Sequence, residues 1–217
     1  ETDVTIAAPI GEGMRRMDVL TLLTFVWPEA QAVFPRDPRK LLVVGAADPM
    51  WRGGLSAPNS LFMHAERPLV SENGTSSVVH ELVHVLGGIR DTDASDWISE
   101  GLAEYYAIEL LRRAGGMTEP RYQQVRKKLL HWGLKVTSLR GEHSNGAITA
   151  RSVVLLQELD KEIRQTSEGR YSLDDVARGL MRMDKVSTKA FIELSERLLG
   201  KPSKVLDRKL LRKPKAA

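Results

Sequence analysis

The sequence lacks cysteine, long apolar runs, internal repeats and low-complexity segments. Without cysteine the chain can form neither disulfide bridges nor thiolate metal sites. No apolar run is long enough to cross a bilayer, so no membrane span is predicted. The 217 residues, 42% of them hydrophobic, are enough for one globular domain with a core of its own.

The basic character of the chain is concentrated at its C-terminal end. From Lys201 onward, seven Lys or Arg residues stand against one Asp, whereas the preceding part has 25 basic and 27 acidic residues. The sequence pI of about 9.4 therefore reflects a short segment. We interpret residues 201–217 as a basic, solvent-exposed tail and predict no nucleic-acid partner.

The chain begins at Glu1, and no signal peptide is recognisable. If the chain is a processed product, the sequence is compatible with an exported parent protein, periplasmic or secreted. No compartment is predicted beyond that condition.

The segment His80-Glu81-Leu82-Val83-His84 has the pattern of a zinc site with its own general base. Two histidines four residues apart share one face of a helix, where both rings can reach one ion. Glu81 projects toward the same cavity and can accept a proton from water. The alternative is a surface helix that carries these residues by chance. The rest of the helix is apolar, which favours burial and the metal site.

A second segment, Trp97-Ile98-Ser99-Glu100-Gly101, offers a third ligand in Glu100. Two histidines and a glutamate leave one zinc position open for water, as in catalytic zinc sites. Glu104 lies one turn further on the same helical face and is predicted to orient a zinc-binding histidine by accepting its ring N–H. The alternative is that both glutamates are simply exposed. We predict one zinc ion per chain.

Together the two segments resemble the gluzincin metallopeptidases, which include thermolysin and the alanyl and glycyl aminopeptidases. The resemblance is greatest to the glycyl aminopeptidase type and covers about residues 40–200. It implies an α+β, thermolysin-like zincin catalytic domain with a small N-terminal sheet, the zinc helices and a helical C-terminal part. We therefore predict a single domain over 1–200, with the sheet and zinc helices in 1–116 and the helical part in 117–200.

Hydrophobic patterning predicts the individual elements. Strands are predicted at 2–8, 40–46 and 60–65, and helices at 12–34, 119–132, 147–165, 172–183 and 187–199. The zinc helix is predicted to begin after an N-cap among residues 73–76 and to stop at Gly87-Gly88, and the next helix to follow a cap at Ser95 or Asp96 and to run to about Arg113. In the family that the sequence resembles, the strand before the zinc helix lines the cleft, and an extended substrate pairs with its free edge. The resemblance implies this role for the strand at 60–65.

Residues 53–60 resemble the family's strand segment before the zinc helix, and the resemblance implies substrate binding at Gly54, Leu55, Ser56 and Ala57. The aminopeptidases carry a glutamate in this segment that holds the substrate amine, and Ser56-Ala57 stand in its place here. A cationic N-terminus would lack that carboxylate, which favours endopeptidase action or another mode of recognition.

A second departure concerns the group that stabilises the oxyanion. The family has a tyrosine early in the helix that corresponds to 147–165, whereas this sequence has Thr149-Ala150. His143, in the segment before that helix, is the candidate replacement, because thermolysin uses a histidine for this purpose. The alternative is that His143 is merely an exposed loop residue.

The sequence thus predicts a zinc-dependent peptidase that acts on peptide or protein substrates through zinc-activated water, with Glu81 as general base. One alternative is a catalytically weakened zincin-fold protein that serves as a binding module. Another is a zinc hydrolase of a non-peptide amide or ester. The intact Glu81 favours catalysis, because a binding module needs no general base beside the metal.

Overall fold

The structure, a computed structural model, describes residues 1–47, 49, 52–92, 94–141, 143–206 and 209–212. These residues form an α+β fold, as the sequence predicted, with a four-stranded sheet and seven helices. The strands are β1 (Asp3–Ala7), β2 (Lys40–Ala46), β3 (Gly54–Ala57) and β4 (Ser60–His64). The helices are α1 (Arg16–Val33), α2 (Ser77–Gly87), α3 (Trp97–Arg113), α4 (Glu119–Trp132), α5 (Gly146–Thr166), α6 (Leu173–Leu180) and α7 (Thr188–Leu199).

The sheet has the order β1-β2-β4-β3. Strands β1, β2 and β4 are parallel, and β3 pairs antiparallel with β4. Burial alternates along β2, with Leu41 and Val43 at 0% exposure and Leu42 at 39%. Since side chains alternate between the two faces of a strand, one face of the sheet forms the core and the other is largely open.

The free edge of the sheet does not belong to the predicted strand. Residues 60–64 do form a strand, but β4 is paired on both sides, by β2 and β3, so its predicted role as the free edge is wrong. The sheet has two edge strands, β1 and β3. The outer strand next to β4 is β3, where the hydrophobic pattern predicted no strand. Its sequence Gly-Leu-Ser-Ala is short and poor in β-branched residues, so pairing with β4 rather than intrinsic propensity makes it a strand.

The chain folds into two compact units. The first comprises Glu1–Gly88 and Tyr106–Tyr122 and contains the sheet, α1 and α2. The second comprises Ile89–Tyr105 and Gln123–Ala217 and contains α5, α6 and α7. None of the helices in the described part of the chain has the length and apolar character that crossing a membrane would require.

The basic C-terminal segment, which lies partly outside the described residues, is not wholly exposed. Leu206, Leu210 and Leu211 are 4–6% exposed. The backbone N–H of Leu139 donates to the carbonyl oxygen of Leu210 at 2.9 Å. The leucines of this segment therefore contribute to the core of the second unit, although its charge pattern indicated a solvated tail.

A buried hydrogen-bond network joins the beginnings of α3 and α7 within the second unit. The indole Nε1–H of Trp97 donates to Thr188 Oγ1 at 3.0 Å, and the backbone N–H of Thr188 donates to Ser95 Oγ at 3.0 Å. The Trp97 ring packs edge-on against Phe191, with a centroid distance of 5.2 Å. All four residues are buried, so this network holds the N-terminal end of α3 in place.

We expect Thr188→Val to lower the free energy of unfolding by about 1–3 kcal/mol, because it leaves the buried Trp97 N–H without its acceptor. Chemical denaturation monitored by circular dichroism measures the change. Thr24→Val is the matched control, because the Thr24 hydroxyl on α1 is exposed and bonds only the Leu20 carbonyl within its own helix. Equal effects of the two substitutions would contradict a structural role for the Trp97–Thr188 bond.

Candidate metal centre

Helix α2 is held in place by its apolar side chains. Ser76 caps its N-terminus by accepting a hydrogen bond from the Val79 N–H, and Gly88 ends it in a left-handed conformation with φ of 58°. The helix packs on β3 and β4. Its apolar residues Val78, Val79, Leu82 and Leu86 are all at 0% exposure. The predicted burial of this helix is therefore confirmed, and after its first residue, Ser77, only His80 and His84 remain partly accessible.

His80 and His84 point their rings at a common position. Their Nε2 atoms are 3.2 Å apart, and the ring centroids are 4.9 Å apart. Two nitrogen ligands bound tetrahedrally to zinc at 2.0–2.1 Å lie about 3.3–3.4 Å from each other. The spacing of the two rings therefore fits one zinc ion without rearrangement of α2.

Glu100 joins this pair. One ligand atom from each of His80, His84 and Glu100 lies within 4.8 Å of the other two, and all three residues are half-buried. In the described part of the chain, no other set of three His, Cys, Asp or Glu residues meets that criterion. Two imidazoles and one carboxylate form a donor set that suits zinc and leaves a coordination position open.

Gly101 permits a close helix approach beside Glu100. A Cβ atom at this position would lie 2.7 Å from the Ser152 Cβ of α5. Glycine is therefore required where α3 and α5 come together within the second unit.

The Glu81 side chain lies against the first residue of β3. Glu81 is only 7% exposed. A Cβ atom on Gly54 would lie 2.8 Å from the Glu81 Oε1 atom and 3.0 Å from its Cγ. Because Gly54 has no side chain, the carboxylate can occupy this position next to the outer strand of the sheet.

Acidic side chains surround the start of α3. Burial raises the pKa of Asp91 to about 7 despite a hydrogen bond from Ser99, and the charges of Asp96 and Glu100 raise it further. The Asp96 carboxylate accepts a hydrogen bond from the Ser144 backbone N–H at 2.6 Å. This contact ties the segment that contains His143 to the beginning of α3. Sequence patterning did not identify Asp91 as a residue with a perturbed pKa. The several aspartates in the segment before α3 were a signal that their charges would interact.

The other predicted site residues occupy varied surroundings. Glu104 is half-buried, one turn after Glu100 on α3, and His143 is exposed. Leu55, Ser56 and Ala57 are exposed on β3. Their assigned roles stay predictions. His64 is 2% exposed, and its Nδ1 accepts a hydrogen bond from the Glu66 N–H, an arrangement that stabilises the end of β4.

The sequence matches no protein-family model and no curated protein at a significant level. The fold, in contrast, is similar to solved structures. An aminopeptidase N family protein from Idiomarina loihiensis has a TM-score of 0.64 at 15% identity, over 82% of this chain and 38% of that protein. An M1 zinc metallopeptidase from Deinococcus radiodurans, a mutant bound to a Tyr-Ser-Ala substrate, has a TM-score of 0.62 at 18% identity. The match covers 96% of this chain and 49% of that protein.

A further structure of the M1 zinc metallopeptidase from Deinococcus radiodurans has a TM-score of 0.58 at 19% identity, over 91% of this chain and 44% of that protein. The chain thus spans less than half the length of these structures. At such identities the likeness concerns the fold alone, which is similar to that of M1 peptidase domains.

We expect the purified chain to bind about one zinc ion and the Glu100→Ala variant to bind it at least tenfold more weakly, because one of three protein ligands is lost. Elemental analysis and a competitive chelator titration measure this. Glu158→Ala, which removes an exposed carboxylate from α5, is the control. Unchanged zinc affinity in Glu100→Ala would remove this residue from the site.

Proposed function

We propose that this chain is a zinc-dependent peptidase. The observation that carries the proposal is the convergence of His80, His84 and Glu100, with the Glu81 carboxylate held beside the outer strand of the sheet. The fold supports it, since the similar Deinococcus radiodurans protein is a zinc metallopeptidase bound to a Tyr-Ser-Ala substrate.

In this proposal the Nε2 atoms of His80 and His84 and the carboxylate of Glu100 hold the metal. Glu104 accepts the remaining ring N–H of one histidine and keeps that ring oriented. When bound, zinc polarises the carbonyl of the scissile bond and lowers the pKa of water. The three ligands also leave one side of the site open for water and substrate.

Glu81 transfers protons. Its carboxylate accepts a proton from the attacking water and then donates it to the nitrogen of the leaving amine. The low exposure of Glu81 keeps bulk water away from this carboxylate, and contact with Gly54 limits its position. Both features favour a defined geometry for proton transfer.

The outer strand β3 binds the substrate in this proposal. The His64 N–H donates to the Gly53 carbonyl oxygen, so these residues form a hydrogen-bonded pair of the antiparallel ladder. Hydrogen bonding alternates along such a ladder, and the N–H and C=O groups of Gly54 and Ser56 therefore face away from β4. An extended peptide can pair with them and gain affinity that does not depend on its sequence.

The side chains of β3 favour internal peptide segments over free N-termini. Gly54, Leu55, Ser56 and Ala57 carry no charge, so the strand has no carboxylate to pair with a substrate amine. Cleavage at internal bonds follows from this composition. We assign stabilisation of the oxyanion to His143, whose segment is tied to α3 through Ser144 and Asp96.

One observation favours a second function, that of a binding module without turnover. The beginning of α5 carries Thr149 and the buried Ala150 and offers no phenol to stabilise an oxyanion. If His143 does not take this role, the site would bind peptide and hydrolyse it poorly.

We expect wild-type protein loaded with zinc to cleave members of a peptide library, and Glu81→Gln to be about 10²–10⁴-fold slower with its zinc retained, because only the general base is lost. Mass spectrometry of the products and elemental analysis give the two readouts. Glu158→Gln is the control. Peptide binding without turnover by the wild type would support the binding module, and cleavage of ester or amide substrates alone would support a non-peptide hydrolase.

We expect Gly54→Ala to lower kcat by at least tenfold, since a Cβ atom 2.8 Å from Glu81 Oε1 must displace that carboxylate. Zinc content should not change, because the metal ligands lie elsewhere. Steady-state kinetics on a cleaved peptide measure the effect. Glu158→Ala is the control, since Glu158 is exposed on α5 and belongs to none of the proposed catalytic or binding groups. Wild-type kcat in Gly54→Ala would contradict this view of how Glu81 is positioned.

A further inference from the structure

The first unit contains a cavity of about 210 Å³ between the N-terminal part of α1 and the segment that follows β4. Its lining is largely apolar, with side chains from Met14, Val19, Met63 and Leu69. Arg15, Asp18 and Arg67 are the charged residues of the lining. The cavity therefore suits an apolar group that carries a charge at one end.

The two arginines of the cavity differ in their partners. The Nε of Arg15 lies 3.0 Å from Asp18 Oδ2, so its charge is matched. Arg67 donates from Nε to the Arg52 carbonyl oxygen at 2.6 Å and from Nη1 to Ser77 Oγ at 3.0 Å. These acceptors are neutral, and no carboxylate of the described residues forms an ion pair with Arg67. Its guanidinium is oriented but not neutralised.

The surroundings of Arg67 favour an anion further. Ser77 is the first residue of α2, so Arg67 lies at the positive end of the helix dipole. The planar guanidinium keeps donors that match the two oxygens of a carboxylate. A carboxylate is therefore the group that this position would bind best.

The cavity adjoins the proposed substrate strand. Met63 in its lining is the cross-strand partner of Gly54, against which the Glu81 carboxylate lies. Arg52, whose carbonyl oxygen binds Arg67, precedes Gly54 by two residues, about 6–7 Å of extended chain. A peptide paired with β3 that continues past Glu81 toward the start of the strand meets Arg67, whichever direction the peptide runs.

We propose that Arg67 and this cavity form a specificity subsite for a substrate residue that bears a carboxylate. The apolar walls take the aliphatic part of the residue, and Arg67 binds its carboxylate. An acidic side chain and the C-terminal carboxylate of an apolar residue share this chemistry. The inference rests on the proposed peptidase function, because that function places the substrate along β3.

Peptide binding to the zinc-loaded Glu81→Gln protein tests the subsite without turnover. Isothermal titration calorimetry measures the affinity for two matched pairs of peptides. In the first pair, a peptide that ends in leucine carries either a free C-terminal carboxylate or an amide. In the second pair, an amidated peptide carries either glutamate or glutamine at one position, and this position is varied along the peptide. We expect the carboxylate member of at least one pair to bind about tenfold more tightly, the effect of one charge-assisted interaction. The pair that shows the difference identifies the source of the carboxylate.

Substitution of Arg67 then shows whether this residue causes the tighter binding of the carboxylate-bearing peptide. Arg67→Gln should abolish the discrimination, whereas Arg67→Lys should retain part of it. Arg16→Gln is the matched control, since Arg16 begins α1 next to Arg15, bonds the Ala8 carbonyl oxygen and does not line the cavity. Arg67→Glu should invert the preference, so that a lysine peptide binds better than its glutamine counterpart. This gain is a result that a misfolded variant cannot give.

Several outcomes overturn the subsite. These are equal affinities within both peptide pairs, no measurable peptide binding, or discrimination that survives in Arg67→Gln. Cleavage by the wild type without discrimination leaves the peptidase proposal intact and removes the subsite. Arg67-dependent discrimination without any cleavage by the wild type leaves the subsite and removes the peptidase proposal.

Discussion

Burial of the apolar side chains of α2 is the interaction on which the candidate site depends. Val78, Val79, Leu82 and Leu86 are all fully buried, and each contributes about 1.5–3 kcal/mol relative to exposure. Packing on β3 and β4 fixes the rotation of the helix about its axis. That rotation leaves His80 and His84 partly accessible, with their Nε2 atoms 3.2 Å apart, at almost the separation that zinc requires.

The same packing brings the Glu81 carboxylate to the edge of the sheet. Glu81 follows His80 and therefore leaves the helix in a different direction, toward the start of β3. Gly54 has no side chain there, so the carboxylate and the strand backbone can approach closely. A buried carboxylate and a row of outward-facing peptide groups thus lie side by side.

Glu100 lies on a helix whose beginning is fixed by buried polar contacts within the second unit. In the network of Ser95, Trp97 and Thr188, the Trp97 indole N–H and the Thr188 backbone N–H each donate to another member of the network. Burial of these polar groups therefore stabilises the folded chain instead of destabilising it. Close approach of α5 at Gly101 adds a steric constraint one residue after Glu100. Both constraints act on the backbone of α3 and therefore on where Glu100 points.

The sequence by itself determined the α+β class, the extents of most helices and the pairing of His80 with His84. These features depend on local periodicity, because residues four apart in a helix must share a face and apolar positions at helical spacing must be buried. The role of Glu100 as a third ligand stays a prediction, because two segments interpreted as helices do not by themselves fix how close their side chains lie.

Only the tertiary structure decided which strand forms the edge of the sheet, because strand order depends on long-range pairing that local patterns do not encode. The resemblance implied the edge role for the strand at 60–65, whereas the weakly patterned β3 lies at that edge. The contact of Glu81 with Gly54, the raised pKa of Asp91 and the position of Arg67 beside a cavity also depend on residues distant in sequence. Burial and close approach between such residues exist only after the chain has folded.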